Sequence, residues 1–407
     1  MDEGRRGLKT SSGDIGRELD ANMFLLGSVR RSGAQLRINA RLVQSDGTVL
    51  WADQFDREFR DVFVIQEEIS LAIVNKLQLK LGRGQRRYDT DPLAGELYLQ
   101  GRALLGRAGG GDSLKAAALF EEVLDRDPRY APAQAALANA YALASLPLSG
   151  TLPFESTHAI IRRAAFQAYD LDPVLAETHI ALGWVHSREN HWEAAEKAFH
   201  EAIRRNPNLT EGYTGYSSAV LQPLGRLDEA LRVLREALRN DPRSLALQRE
   251  IGFVQILSGE YAGAVETLER LRTVHPDFPF AGIHLGRALT FADRAPEAIA
   301  VLTAQDGRHL GPFKPTGRTP WLALPYLKTG RRADAEALTA GGTSSDSALA
   351  VIYAVLGDKS KAFAALERMA AAQPHNMGRM LIMPELSELR DDRRFAALRA
   401  RFNLSPQ

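Results

Sequence analysis

Cysteine is absent from the 407-residue chain. This excludes a disulfide framework, a thiol nucleophile and any metal site built on cysteine. The sequence also lacks a run of about 18 apolar residues, the length that can cross a membrane. Its first residues, MDEGRRGLKTSSGD, are polar and do not contain the apolar core of a signal peptide. We therefore expect no membrane span and a cytoplasmic protein; a periplasmic location is the alternative if the natural start lies upstream.

An excess of one charge sign is missing too. Lys and Arg number 51, Asp and Glu number 50, and the net charge is +1. A nearly neutral chain has no general attraction to a polyanion. The basic pairs Arg30-Arg31 and Arg204-Arg205 are isolated, and no aromatic residues alternate with them as they do in a base-stacking surface. We expect no nucleic acid to bind to this chain.

Residue patterns for catalysis are also lacking. Four histidines lie close together in the sequence, namely His179, His186, His191 and His200. No HExxH motif is present, and no carboxylate completes a zinc triad with them at helical spacing. The sequence GYSSA around Ser217 and Ser218 is not the GxSxG motif of a nucleophilic serine. We therefore predict no metal site, no cofactor and no catalytic residues, so the chain is not expected to be an enzyme.

The sequence does contain a helical repeat. Residues 176–208 hold two amphipathic helical patterns on either side of a polar turn, and Pro207 ends the second one. Small residues at Gly183 and Ala195 allow the two helices to approach closely, and a larger side chain would overpack the contact by about 1–3 kcal/mol. Phe199 is expected to fill the space between this helix pair and the next. The spacing resembles the tetratricopeptide repeat, whose period is about 34 residues.

The same markers recur along the chain. From Pro242 to Pro276 is one period of about 34 residues. Units of this kind cannot bury their apolar faces alone, so they stack into a solenoid. The resemblance implies a mostly α fold, a right-handed tetratricopeptide-repeat α-solenoid of eight helix pairs over residues 93–376. Residues 377–407 are predicted to be helices that cap this array.

Before the repeats, the hydrophobic period changes from helical spacing to two. Strands are predicted at Met23–Val29, Leu36–Leu42 and Thr48–Arg57, with turns between them. A short helix is predicted at Ile15–Leu19, and a longer one with a continuous apolar stripe at Val62–Leu81. The sequence therefore predicts a small α/β unit ahead of the repeat array.

This order of strands and helix resembles the second half of the TolB-like amino-terminal domain, which often precedes tetratricopeptide arrays in bacterial proteins. The resemblance rests on three segments, GSVRRSG, LVQSDGTVLWADQFDR and IQEEIS. It implies a partial TolB-like α/β domain over residues 14–82, after a disordered or junction segment at 1–13 and before a linker at 83–92. The family's first strand would lie upstream, so we expect an open sheet edge with which a second copy could pair as a homo-oligomer.

In tetratricopeptide proteins the first helix of each pair lines a concave groove that binds peptides. Eight residues are predicted to face such a groove: Asn139, Ile180, Trp184, Arg188, Arg249, Phe253, Ile283 and Arg287. Apolar side chains and arginines are typical anchors at protein interfaces. For Trp184 and Phe253 the alternative is packing against neighbouring helices. Ala135 stands where the family's clamp for chaperone tails needs lysine, so a chaperone-tail adaptor is not expected.

These observations predict a non-catalytic scaffold that binds a protein or peptide partner in the groove. The alternative is the sensory or regulatory C-terminal part of a larger bacterial signalling protein. The resemblance implies this second hypothesis, because the same domain order often follows an adenylate cyclase, a protein kinase or a winged-helix transcriptional regulator. Such an effector domain would lie upstream of these residues.

Overall fold

The computed structural model describes residues 23–33, 35–44, 48–58, 90–106, 110–146, 152–278, 280–304, 320–340 and 345–404. The chain divides into two compact units, Met1–Glu96 and Leu97–Gln407. A small sheet lies in the first unit and helices make up most of the second, which agrees with the predicted fold class. The helices predicted at Ile15–Leu19 and Val62–Leu81 fall outside the described residues.

The first unit contains a three-stranded antiparallel sheet in which the strands are hydrogen-bonded in chain order. Its strands are β1 (Met23–Ser32), β2 (Gln35–Gln44) and β3 (Val49–Glu58). Gly33, with a φ of +60°, takes the left-handed conformation in the tight turn between β1 and β2. The three strands predicted from the period-two pattern are therefore confirmed.

The faces of β2 follow the sequence pattern. Leu36, Ala40 and Leu42 are buried, whereas Arg37 and Arg41 between them are exposed. One face of β2 is therefore apolar and buried and the other is polar and exposed, as the alternation predicts. Among the described strands, the outer edges of β1 and β3 have no neighbour. Pairing of such an edge with a second copy stays a prediction, and so does the resemblance to TolB-like domains.

From Pro92 to Ala372 the described residues form helices that follow one another in eight pairs. The first helices are α1 (Pro92–Gly106), α3 (Ala131–Ala144), α5 (Ala176–Arg188), α7 (Thr210–Tyr216), α9 (Leu245–Ser258), α11 (Ala281–Phe291), α13 (Ala323–Lys328) and α15 (Asp346–Leu356). The second helices are α2 (Gly110–Arg126), α4 (Phe154–Leu171), α6 (Trp192–Arg205), α8 (Leu227–Asn240), α10 (Tyr261–Val274), α12 (Ala295–Thr303), α14 (Arg332–Ala337) and α16 (Lys359–Ala372). Helix α7 continues as a π-helical turn, Ser217–Leu221.

Close packing within the pairs depends on glycine at the crossing point. A Cβ atom added at Gly183 of α5 would lie 2.6 Å from the ring of Phe199 on α6. The same ring is fully buried and reaches the next pair, where a Cβ added at Gly215 would lie 2.7 Å from it. Phe199 therefore fills the space between two repeats, as the sequence predicts. One buried ring joins three helices, and its contacts leave no room for larger side chains.

After α16 the chain turns back towards earlier repeats, and the prediction that residues 377–407 cap the array stays a prediction. A 3₁₀ turn (Pro374–Asn376), helix α17 (Met377–Leu381) and a second 3₁₀ segment (Pro384–Leu389) lead to the last helix, α18 (Arg393–Arg401). On α18, Phe395 and Leu398 are buried, and the Arg394 guanidinium lies 4.1 Å from the ring centre of Phe363 on α16. We call Pro374–Leu389 the C-terminal strap, because it does not continue the stack and contacts earlier repeats.

Candidate binding surface on the first helices of the repeats

The first helices α3, α5, α7, α9 and α11 contact one another in succession. We call the layer that they form the inner wall. All eight predicted groove residues lie on this layer: Asn139 on α3; Ile180, Trp184 and Arg188 on α5; Arg249 and Phe253 on α9; Ile283 and Arg287 on α11. Repeat position thus predicts the layer, but the side chains differ in what they contact.

Four of the predicted groove residues pack inside the array: Asn139, Ile180, Trp184 and Ile283. Trp184 is 3% exposed, and its indole Nε1 donates a hydrogen bond to Oδ1 of Asn139 at 3.0 Å. Its ring meets that of Phe199 edge-on, with centroids 6.1 Å apart. Ile180 and Ile283 are 1% and 5% exposed. These side chains contact neighbouring helices rather than open space. Repeat position predicts which helix lies in the inner wall, but it does not separate the packed face of that helix from its open face.

Arg188 is also turned inward. Its Nη1 donates to the hydroxyl of Ser145 at 2.8 Å, and its guanidinium carbon lies 5.5 Å from the ring centre of Phe154. Burial lowers the pKa of Arg188 to about 9, because a desolvated guanidinium is less favourable in its charged form. Arg188 therefore braces the end of α3 against the start of α4 instead of offering its charge to a partner.

Arg287 binds the protein's own C-terminal strap. Its Nε and Nη2 donate to the two carboxylate oxygens of Glu385 at 2.7 and 2.8 Å. The two side chains are 1% and 4% exposed. The guanidinium carbon also lies 4.0 Å from the ring centre of Trp321, a favourable cation–π arrangement. The position predicted to anchor a partner thus anchors a segment that lies 98 residues away in the chain.

The strap contacts the inner wall at several further points. Nδ2 of Asn376 donates to the backbone carbonyl of Ser145 at the end of α3, at 3.0 Å. Nε2 of His375 lies 3.2 Å from the same carbonyl oxygen. Arg379 donates through Nη1 to the carbonyl of Ser218 in the π-helical turn, at 2.6 Å. A segment of peptide chain therefore already lies along the inner wall, held by hydrogen bonds to backbone carbonyls and by one buried ion pair.

A cavity of about 790 Å³ remains beside the strap. Its apolar lining includes Phe253 on α9, Phe278 and Phe280 in the turn between α10 and α11, and Met383 in the strap. Arg249 also lines it, with its guanidinium carbon 6.0 Å from the ring centre of Phe278. Of the predicted groove residues, Arg249 and Phe253 are thus placed at open space. Whether they contact a partner stays a prediction.

Charged groups in the cavity lining are mostly acidic. Two guanidinium groups contribute, those of Arg249 and Arg379, and burial lowers the pKa of both. Five carboxyl groups also contribute: Asp112, Glu211, Asp241, Glu250 and Asp277. Glu250 is fixed by a hydrogen bond from Nε2 of Gln222 at 2.6 Å and lies 3.7 Å from Arg249. An apolar side chain flanked by a basic one therefore suits this cavity better than an acidic segment does.

Burial of His284 gives the array a pH dependence. His284 is 5% exposed, and its ring stacks on Phe253 with centroids 4.6 Å apart. Desolvation, together with the charges of Arg287, Arg249 and Arg379, lowers the pKa of His284 well below its usual range. The folded protein therefore keeps this ring neutral, whereas the unfolded chain takes up a proton below about pH 6.5. Stability must fall as the pH drops below that value.

We expect the wild type to lose about 1.4 kcal/mol of unfolding free energy per pH unit, relative to His284→Phe, between about pH 6.5 and pH 5. Phenylalanine keeps the stacked ring but does not titrate. Urea unfolding of both proteins across this range measures the difference. Equal slopes in the two proteins would show that His284 is not buried in its neutral form.

Most of the cavity lining was not among the predicted groove residues, and this includes Arg379 and Met383. They belong to the strap, which has no repeat markers and whose partners lie far away in sequence. The sequence of the strap does contain one indication of distant contacts. Arg379 and Glu385 are charged residues in an otherwise apolar segment, MGRMLIMPEL. Buried charges of this kind need partners elsewhere in the fold.

None of the helices in the described residues is long and apolar enough to cross a membrane. Family models of the tetratricopeptide repeat match residues 176–209 and 224–281. The chain thus contains tetratricopeptide repeats, at the positions where its glycines and prolines predict them. The fold is similar to that of the Cut9–Hcn1 hetero-tetramer of APC/C, with a TM-score of 0.50 and 16% sequence identity over 75% of this chain and 55% of that chain.

Two curated relatives share part of the sequence. A putative adenylate cyclase 3 of Rhizobium meliloti (strain 1021) is 34% identical over 185 residues, which are 42% of this chain and 31% of that protein. The Hsp70-Hsp90 organizing protein 3 of Arabidopsis thaliana is 29% identical over 109 residues, 27% of this chain and 19% of that protein. The chain therefore spans less than a third of the length of either relative.

Proposed function

We propose that this chain is a non-catalytic tetratricopeptide-repeat scaffold whose inner wall binds an extended segment of a protein partner. The observation that carries the proposal is the strap itself. Hydrogen bonds from Asn376 and Arg379 to wall carbonyls hold a peptide segment against the first helices. A surface that binds the chain's own peptide segment has the backbone acceptors and apolar pockets that a foreign peptide would need.

The cavity beside the strap is the proposed place of the partner's anchor residue. Its aromatic lining from Phe253, Phe278 and Phe280 suits an aliphatic or aromatic side chain. The excess of carboxyl groups over guanidinium groups in the lining favours a lysine or arginine next to that anchor. The proposed ligand is therefore a short extended peptide with an apolar anchor and a neighbouring basic residue.

Selection from a random peptide library on the wild-type protein tests this proposal. We expect the selected peptides to share an apolar anchor beside Lys or Arg. Phe278→Ala and Arg249→Ala should each weaken their binding at least about tenfold, or 1.4 kcal/mol, because both side chains line the cavity. The matched controls Phe166→Ala and Arg235→Ala alter exposed residues on second helices and should leave binding unchanged.

Affinity is measured by fluorescence polarisation, and circular dichroism confirms that each variant is folded. The proposal fails if no peptide is enriched. It also fails if the cavity variants bind the selected peptides as tightly as the two controls do.

A second candidate function is the regulatory C-terminal part of a larger signalling protein. The similarity to a putative adenylate cyclase favours it, since that relative is more than three times as long as the shared segment. Sequencing the transcript upstream of this chain tests the idea: we expect one open reading frame that joins an effector domain to the repeats. A stop codon in frame directly before Met1, in the natural transcript, would rule it out.

A further inference from the structure

The turn between α5 and α6 gathers metal-ligating side chains that the proposed function does not use. Helix α5 ends at Arg188 and α6 begins at Trp192. Asn190 takes a φ of +58°, and the backbone N–H of His191 donates to the carbonyl of His186 at 2.9 Å. This tight turn brings His191 back towards the last turn of α5.

Three side chains meet at this turn. One ring nitrogen each from His186 and His191 and one carboxylate oxygen of Glu189 lie within 4.8 Å of one another. Nδ1 of His191 is 3.3 Å from a carboxylate oxygen of Glu189. Ligand atoms held about 2.0–2.1 Å from a tetrahedral Zn²⁺ ion are a little over 3 Å apart. The observed spacing thus needs only small side-chain rotations to close around such an ion.

The surroundings of the three side chains also suit a metal ion. Nδ1 of His186 is buried and has no hydrogen-bond partner. The other carboxylate oxygen of Glu189 lies 3.2 Å from Nε2 of His158 on α4, so a third histidine orients the acid, as outer partners of metal ligands do.

Access for an ion is open on one side, because the side chain of His191 is 64% exposed. Arg162 is the competing cation: its Nε lies 3.6 Å from Glu189, but the side chain is 60% exposed and can turn into solvent. Exposed ion pairs of this kind contribute about 0–1 kcal/mol. Displacing Arg162 therefore opposes metal binding only weakly.

We propose that His186, Glu189 and His191 form a binding site for a divalent transition-metal ion of the zinc class, with His158 as the residue that positions Glu189. Two imidazoles and a carboxylate are a typical ligand set for Zn²⁺, and three protein ligands leave the fourth position to water or to a group from a partner. The expectation of no metal site considered only helical spacing. The carboxylate instead comes from the turn, where the backbone leaves the helix.

Titration of untagged, chelator-treated protein with Zn²⁺ tests the site. We expect one bound ion per chain, and an increase in the melting temperature, because the ion links the end of α5 to the start of α6. His191→Ala and Glu189→Gln should abolish stoichiometric binding. His158→Ala should weaken it by about 10–100-fold, the usual effect of losing an outer partner.

The matched control is His275→Ala, which removes an exposed histidine at the end of α10 and should bind Zn²⁺ as the wild type does. The absorption spectrum of the Co²⁺-substituted protein provides a second readout, since its visible bands report tetrahedral nitrogen and oxygen ligands. Equal Zn²⁺ affinity in the wild type and His191→Ala, or a cobalt spectrum unchanged by that substitution, would overturn the assignment. These outcomes are independent of peptide binding in the cavity.

Discussion

Replacing Glu385 with leucine is expected to lower the free energy of unfolding by about 3–5 kcal/mol, because it leaves the guanidinium of Arg287 buried without its carboxylate. Both side chains are almost fully buried and share two hydrogen bonds. The loss should therefore appear as release of the strap from the wall.

The double variant Arg287→Met/Glu385→Leu separates the ion pair from simple packing. Replacing both charges with apolar side chains removes the uncompensated charge, so we expect most of the lost stability to return. The matched control is Glu367→Leu, whose partner Arg401 lies 3.0 Å away in an ion pair that is more than half exposed on both sides. Its effect should stay within about 1 kcal/mol.

Chemical denaturation measures the four proteins, and hydrogen exchange of residues 374–389 reports the strap separately. If Glu385→Leu lowers the free energy of unfolding no more than Glu367→Leu does, the ion pair of Arg287 and Glu385 does not hold the strap on the inner wall. The same conclusion follows if the double variant is as unstable as the single one.

Phe199→Ala is expected to cost about 3–5 kcal/mol, the usual range for removing a buried aromatic ring. The ring is fully buried and lies against Gly183, Gly215 and Trp184 of adjacent helices. Helices that meet at glycines have little freedom to fill the space left by the ring. The effect should reach beyond one pair, since in a stacked array each repeat depends on its neighbours.

The matched control is Phe166→Ala on α4, where the ring is 37% exposed and lies beneath Arg162 at 5.0 Å. We expect this change to cost less than about 1 kcal/mol. Urea unfolding curves of the two alanine variants give the comparison. Similar losses at the two positions would mean that Phe199 does not join neighbouring repeats.

The parts of the fold that depend on local spacing could be predicted from the sequence. Gly183 and Phe199 indicate a helix pair that packs tightly, and Pro207 indicates where its second helix ends. The strands β1 to β3 follow from alternation and turns. These features need only neighbours within one or two repeats, so their pattern is visible in a short stretch of sequence.

The candidate site depends on contacts across the chain, and these could not be predicted. Asn376 and Ser145 are 231 residues apart. The sequence around either residue does not indicate that the two are in contact. Repeat position places Trp184 and Arg287 in the correct layer. It does not predict that Trp184 packs against Asn139 or that Arg287 binds Glu385. The histidine cluster does not predict a metal site from sequence, because Glu189 lies in a turn rather than at helical spacing from the histidines.

The strap and the cavity are physically connected. Arg379 and Met383 belong to the strap and also line the cavity. A peptide that enters the cavity therefore touches the strap, and movement of the strap changes the shape of the cavity. Peptide affinity and strap release should thus change together in the variants of Arg287 and Glu385.

The most direct test of the central claim, that the inner wall holds a peptide segment, uses the absence of cysteine. Cysteines placed at Ser145 and His375, whose Nε2 lies 3.2 Å from the Ser145 carbonyl oxygen, keep the hydrogen bond from Asn376 to that carbonyl. They can be joined by a short thiol cross-linker and identified by mass spectrometry. We predict efficient cross-linking within one chain, and a clear loss when Glu385→Leu is added. Cross-linking no greater than in the urea-unfolded chain would contradict the placement of the strap on the wall, and with it the peptide-binding surface.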